Sequence, residues 1–285
     1  MAIAVTEGTV DIRKMPGAEK RKASKSGQGS GPLSLALDRL IVTETIALTD
    51  FRGDFSLLGG FSGDFTAAMN DGPAVSGTVV PAPHGTAVRL QSKDAGAVVA
   101  SAGVFASARG GELDLTLTPR ETQGQYDGHL GITNVRVRNA NVLAELLNAV
   151  SVVGLLEQLY GQGLVFNTVD GEFLLTPKLV DLRRGSATGA SLGVSMAGVY
   201  TSGSGTLAMQ GVISPVYLLN GVGAILTKRG EGVFGFNYTL EGTADDPEVA
   251  VNPLSILTPG MFREMFRGGR TTGSGTPPTP KQGKN

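Results

Sequence analysis

The chain has 285 residues, a net charge of −1 and only 17% charged residues, so charge makes no case for nucleic acid or an anionic membrane surface as partner. It has no cysteine, which excludes a disulfide framework and a thiolate metal site, and it holds no run of about 18 apolar residues that would cross a bilayer as a helix. Hydrophobic residues make up 41% and glycine 42 of the 285. Glycine is thus at about twice its usual share. With no collagen period, this points to many short strands joined by tight turns, because each interior glycine costs a helix about 1 kcal/mol against alanine.

The opening stretch, "MAIAVTEGTVDIRK", lacks a basic n-region and a long apolar core, so it does not read as a signal peptide. Residues 14–32 are basic and then Gly/Ser-rich. Residues 1–32 are therefore expected to form an N-terminal strand and a flexible basic loop. Lys14, Lys20, Arg21, Lys22 and Lys25 could meet phosphate or lipid head groups; a solvated loop is the simpler reading.

From Leu33 a period of two takes over. "GELDLTLTP" sets Leu113, Leu115 and Leu117 against Asp114, Thr116 and Thr118. "HLGITNVRVR" carries Leu130 and Ile132, then Val135 and Val137; the slip in phase predicts a bulge at Thr133–Asn134. "SLGVSMAGVY" sets Leu192, Val194 and Met196 against Gly193, Ser195 and Ala197, and "GTLAMQ" adds Leu207 and Met209. "VFGFNYTLEG" sets Phe234, Phe236, Tyr238 and Leu240 against Gly235, Asn237, Thr239 and Glu241. This is the signature of a sheet with one dry and one wet face. About a dozen strands or more are expected, of typical length.

Two interruptions read as helical. Residues 141–160 carry Val142, Leu143, Leu146, Leu147 and Val150 at helical spacing. Asn141 is expected to cap the first helix, Ser151 a second one running to Tyr160, and Gly161 to end it. Residues 215–227 follow Ser214 as N-cap, with Pro215 in the first turn and Lys228 and Arg229 suited to the C-terminal end. Each helical stretch leads through a glycine turn into strands, a weak internal repeat. The end, "NPLSILTPGMFREMFRGG", offers an apolar side made of Leu254, Leu257, Met261, Phe262, Met265 and Phe266. Residues 33–267 are expected to form one β-rich domain and residues 268–285 a disordered tail.

The catalytic inventory is poor. "GASLG" matches the nucleophile-elbow pattern at Ser191, but that motif needs a helix after the turn, and an alternating strand follows. "GEGVFG" matches G-x-G-x-x-G at Gly230–Gly235, but in the order helix, glycines, strand, which aims no helix N-terminus at a phosphate. Asp245 and Asp246 adjoin Pro247 and read as a turn rather than an acid/base pair. His84 and His129 are the two histidines, and no spacing suggests a metal site. Neither catalytic residues, nor a cofactor, nor a metal are expected.

Several stretches carry a family resemblance. "LNAVSVVGLLEQLYGQGLVFNTVDGEFLLTP", "GASLGVSMAGVYTSGSGTLAMQGVISP", "GEGVFGFNYTLEGT", "DDPEVAVNP" and "LSILTPGMFREMF" together resemble the C-terminal region of AsmA-like bacterial envelope proteins of the YhdP and TamB type. The resemblance covers roughly residues 95–267. It implies a mainly β fold with a few short helices: an elongated, curved, antiparallel-rich sheet folded into a groove with an apolar interior. It implies a periplasmic location, with inner-membrane anchoring through a segment absent from this chain, which would then be a C-terminal piece of a longer protein. It also implies movement of phospholipid between inner and outer membranes in support of outer-membrane integrity. Phospholipid acyl chains are then the expected partner, with membrane-surface contact and other envelope proteins as further ones.

On that reading Leu113, Leu115, Leu117, Leu192, Val194, Met196, Leu207, Met209, Phe234, Phe236, Tyr238 and Leu240 line the groove. The Leu254–Phe266 segment either plugs the groove end or rests on a membrane surface. The competing reading is a non-catalytic structural or assembly module of the envelope, with a closed core and no lipid cargo.

Overall fold

The structure, a computed structural model, describes residues 3–14, 31–215, 235–243 and 246–252. Among these, sixteen strands build one large, curved, unclosed sheet. Strands β3 (Pro32–Ile41), β4 (Ala47–Ser56), β5 (Ser62–Met69), β6 (Ala74–Ala82) and β7 (Gly85–Ser92) form an antiparallel meander. It continues through β9 (Glu112–Pro119), β10 (Tyr126–Val137), β11 (Leu164–Leu175), β12 (Leu179–Gly189), β13 (Leu192–Thr201), β14 (Thr206–Pro215), β15 (Phe236–Thr243) and β16 (Pro247–Asn252). The short β8 (Ala108–Arg109) also pairs with β10. The expected N-terminal strand is present as two pieces, β1 (Ile3–Val5) and β2 (Thr9–Asp11), both pairing in parallel with β3.

Among the described residues, three α-helices lie at one end of the strands. Helix α1 (Ala95–Ser101) follows β7, and α2 (Asn141–Ala149) and α3 (Val153–Tyr160) join β10 to β11. The sequence reading did not anticipate α1. Its start is set by Asp94, whose carboxylate accepts from the Ala97 N–H at 3.0 Å, and its Gly96 presses on β8, where a Cβ would sit 2.4 Å from Arg109 backbone atoms. The expected caps of the other two helices are corrected. Ala140 occupies the N-cap of α2 and Asn141 is already helical; Val152 occupies that of α3. Ser151 instead takes a left-handed turn, φ 57°, between the helices. Burial of Leu143, Leu146, Leu147, Leu155 and Leu159 fixes both helices without side-chain caps. Gly161 ends α3 as expected. The second expected helix, 215–227, lies outside the described residues apart from Pro215, and its expected start is corrected: Ser214 and Pro215 are the last residues of β14, opposite Gly193 and Leu192.

Helix α2 sets the curvature. It follows β10 and packs against β16, six strands further along the sheet. A flat sheet would separate those strands by about 29 Å at about 4.8 Å each, whereas nine helical residues reach about 13.5 Å. The sheet therefore rolls around the helices, with its apolar face inside.

The phase slip lies at Asn134, φ 56°, so that Ile132 and Val135 both point inward and are buried, but the expected bulge is corrected: β10 keeps one register there with both neighbours. The partner strand slips in step: β10 and β11 keep one register on either side, with Thr133 opposite Thr168 and Val135 opposite Phe166. On the other side Gly110 and Gly111, φ 64° and 84°, separate β8 from β9. The slip is a crease across three strands, and it becomes a one-sided register shift only between β11 and β12. A second crease lies at Asp50, φ 48°, between the buried Leu48 and Phe51.

Candidate functional site

Register joins the strands into rows that no single strand reveals. One row runs Leu33, Phe55, Gly63, Val79, Val88, Leu117, Gly128. It continues through Phe173, Leu182, Gly198, Met209, Leu240 and Val249. Every position from β3 to β16 is apolar or glycine. The row one residue away runs Ser34, Asp54, Asp64, Thr78, Arg89, Thr116, His129, Glu172, Arg184, and every position is polar. The two faces of the sheet are thus chemically opposite across at least nine strands.

The inner face is graded along the strands. At the helix end α2 and α3 fill it, and Leu113, Leu164, Phe166, Leu192, Val194 and Ile213 are buried there. At the other end, where hairpin turns join the strands, Tyr126, Leu175, Val180, Tyr200 and Leu207 are half-buried. They form a neighbouring row by register. Leu117, Phe173 and Leu182 beside them are half-buried too. The inner face therefore opens toward the turn end and is closed by helices at the other.

Glycines opposite large residues keep this face smooth. A Cβ on Gly128 would lie 2.3 Å from the Phe173 ring, and one on Gly77 would lie 2.2 Å from the Phe65 ring. Tyr238 crosses Gly211 in the same way and donates from its hydroxyl to the Ser195 carbonyl at 2.8 Å. Burial pushes its phenol well above the ordinary tyrosine range.

The expected lining residues divide accordingly. Leu115, Leu117, Met196, Leu207 and Phe236 are half-buried on the inner face; Leu113, Leu192, Val194, Met209, Tyr238 and Leu240 are buried in its packed part. Phe234, Leu254, Leu257, Met261, Phe262, Met265 and Phe266 lie outside the described residues. Tyr126, Phe173, Leu175, Val180, Leu182 and Tyr200 were missed by the sequence reading. Their strands show runs such as "FLL" and "LVDL", where alternation alone does not say which residue faces in.

The outer face is laced by exposed ion pairs. Arg89 forks onto Asp114, with Nε 2.9 Å from Oδ1, and Arg184 pairs with Glu172. The Arg89 hydrogen bonds hold the Asp114 carboxyl below its usual range. A shallow, open depression of about 430 Å³ lies on this face between Arg52, Asp54, Asp64, Thr66, Ser76 and Thr78. Asp54 and Asp64 stand directly opposite; Ser34 and Thr78 each donate to one of them at 2.7 Å. Ser191 sits in the tight turn between β12 and β13 with no helix after it, so the elbow geometry is not formed. Asp246 closes the β15–β16 turn through bonds with Thr243 at 3.1 Å. Among the described residues there is no cluster of metal-binding side chains, and no helix is long and apolar enough to cross a membrane.

No protein-family model, characterised protein or solved structure matches this chain.

Proposed function

We propose that this chain is a lipid-binding and lipid-transfer segment of the AsmA-like kind, carrying phospholipid acyl chains along the inner face of its rolled sheet. The observation that carries the reading is the unbroken inner row of apolar residues and glycines from β3 to β16, with half-buried residues beside it toward the turn end in β10–β14. Twelve strand spacings of about 4.8 Å make this row about 58 Å long. Each CH₂ kept out of water along it is worth about 0.8 kcal/mol. Leu, Val, Phe, Met and Gly offer no polar trap, so a chain slides between near-equivalent positions instead of settling in one. The polar outer row keeps the strip wetted. Such carriage uses neither a catalytic residue nor a cofactor. It belongs between two membranes, in the periplasm, where it would supply phospholipid for outer-membrane integrity.

One observation favours a second reading, a closed structural module of the envelope: α2 and α3 already fill the helix end of the interior. Native mass spectrometry with lipid extraction, on the full chain purified from a Gram-negative host, separates the two. Near-stoichiometric phospholipid is expected, lost in Phe173→Asp or Leu207→Asp at unchanged secondary structure. A folded, lipid-free wild type would overturn lipid carriage and leave the closed module.

A further inference from the structure

The β4–β5 hairpin ends in "SLLGGFS", and its two leucines point away from the protein: Leu57 is 40% and Leu58 65% exposed. This is not a loose loop. The Leu58 N–H donates to Ser56 Oγ at 3.2 Å. Gly59 and Gly60 take φ 74° and 119°, and Gly60 abuts Pro81, where a Cβ would meet the ring at 2.7 Å. Behind the leucines, Phe61 stacks on Phe55 at 4.8 Å and Phe55 on Phe51 at 6.2 Å. The tip is thus an apolar wedge backed by the aromatic residues of the core.

Its position gives it meaning. Ser56 pairs with Ser62 below the tip, and Phe55 pairs with Gly63 in the inner row. The wedge therefore stands at the turn end, where the inner face opens. Among the described residues, neighbouring turns at that end bring Arg120, Glu121, Lys178 and Asp246, a balanced set of charges. That balance selects neither an anionic surface nor a charged protein patch.

The geometry points to Leu57 and Leu58 as a membrane-insertion wedge that seats the turn end of the sheet on the interface of an electrically neutral bilayer. It brings the open inner row to the lipids it would load or release, and in this respect it rests on the lipid-carrier reading. Two leucines entering the acyl boundary supply the binding, so affinity changes little with ionic strength.

The chain has no tryptophan, so a single one reports its own surroundings. In the full chain, Leu58→Trp emission is expected to shift to the blue on adding phosphatidylcholine vesicles. Val104→Trp, equally exposed at 63% but at the helix end, is expected to stay unchanged. In flotation with the same vesicles, Leu57→Ser/Leu58→Ser should lose binding by about tenfold or more with its melting temperature unchanged, while Phe173→Asp still floats. A wild type that floats but carries no co-purified lipid would sink the carrier reading and leave the wedge. No blue shift, a shift at both positions, or a double-serine variant that floats like wild type would overturn the wedge. So would dimerisation of the wild type that the double-serine change abolishes without vesicles.

Discussion

At the scale of single residues, the glycine excess has a packing cause in this fold. A rolled sheet leaves little room on its concave face, and a bulky side chain there fits when the residue beside it in the next strand has none. Phe65 over Gly77 is the tightest such pair between adjacent strands: a Cβ would stand 2.2 Å from the ring and 2.9 Å from the Arg89 carbonyl. Neither the ring, held at 5.1 Å from Phe51, nor the ladder backbone can retreat freely. Gly77→Ala is therefore expected to destabilise the protein by about 1–3 kcal/mol. Urea melts followed by circular dichroism check this. Phe65→Leu in the Gly77→Ala background should cost less than in wild type, since the two changes share one space. Additive losses would show that the pair does not fill one site.

At the scale of elements, α2 is the part on which the roll depends, because it follows β10 and packs against β16 across the interior. Leu147 has no exposed surface. Leu147→Ala is expected to cost about 2–5 kcal/mol, against less than about 0.5 kcal/mol for Val153→Ala, whose side chain is 64% exposed; chemical denaturation of both variants tests the contrast. This helix was legible in the sequence because Leu143, Leu146 and Leu147 repeat at helical spacing over a stretch long enough to show it. Its caps were not, since packing of those leucines holds the ends without a polar side chain. Helix α1 escaped notice for the opposite reason. "AGAVVAS" is too short and too evenly apolar to show a period, and its one local signal was Asp94 as N-cap. The slip at Asn134 was legible as a break in alternation. That Gly110–Gly111 and the β11 strand crease with it was not, because pairing between strands leaves no mark within any one of them.

At the scale of the whole molecule the same limit governs the site. Alternation in β9, β13 and β15 shows which residues of a strand share a face, but the division into a filled helix end and an open turn end arises only when the sheet rolls. Phe173, Leu182 and Tyr200 enter the open part through register alone. If that open part holds acyl chains, occupancy must appear as stability, because a ligand that binds the folded state alone adds RT ln(1 + [L]/Kd). At a hundredfold excess over Kd this is about 2.7 kcal/mol, or roughly 5–10 °C in Tm for a domain of this size. Gentle delipidation of the wild type is thus expected to lower Tm by that amount, and phospholipid restored in mild detergent should raise it again. Phe173→Asp should start near the delipidated value and respond to neither step, since a carboxylate on the row repels the chain it would face. A wild-type Tm indifferent to lipid would mean that the half-buried row is satisfied by its own neighbours, and the roll would then be a scaffold built around α2 and α3.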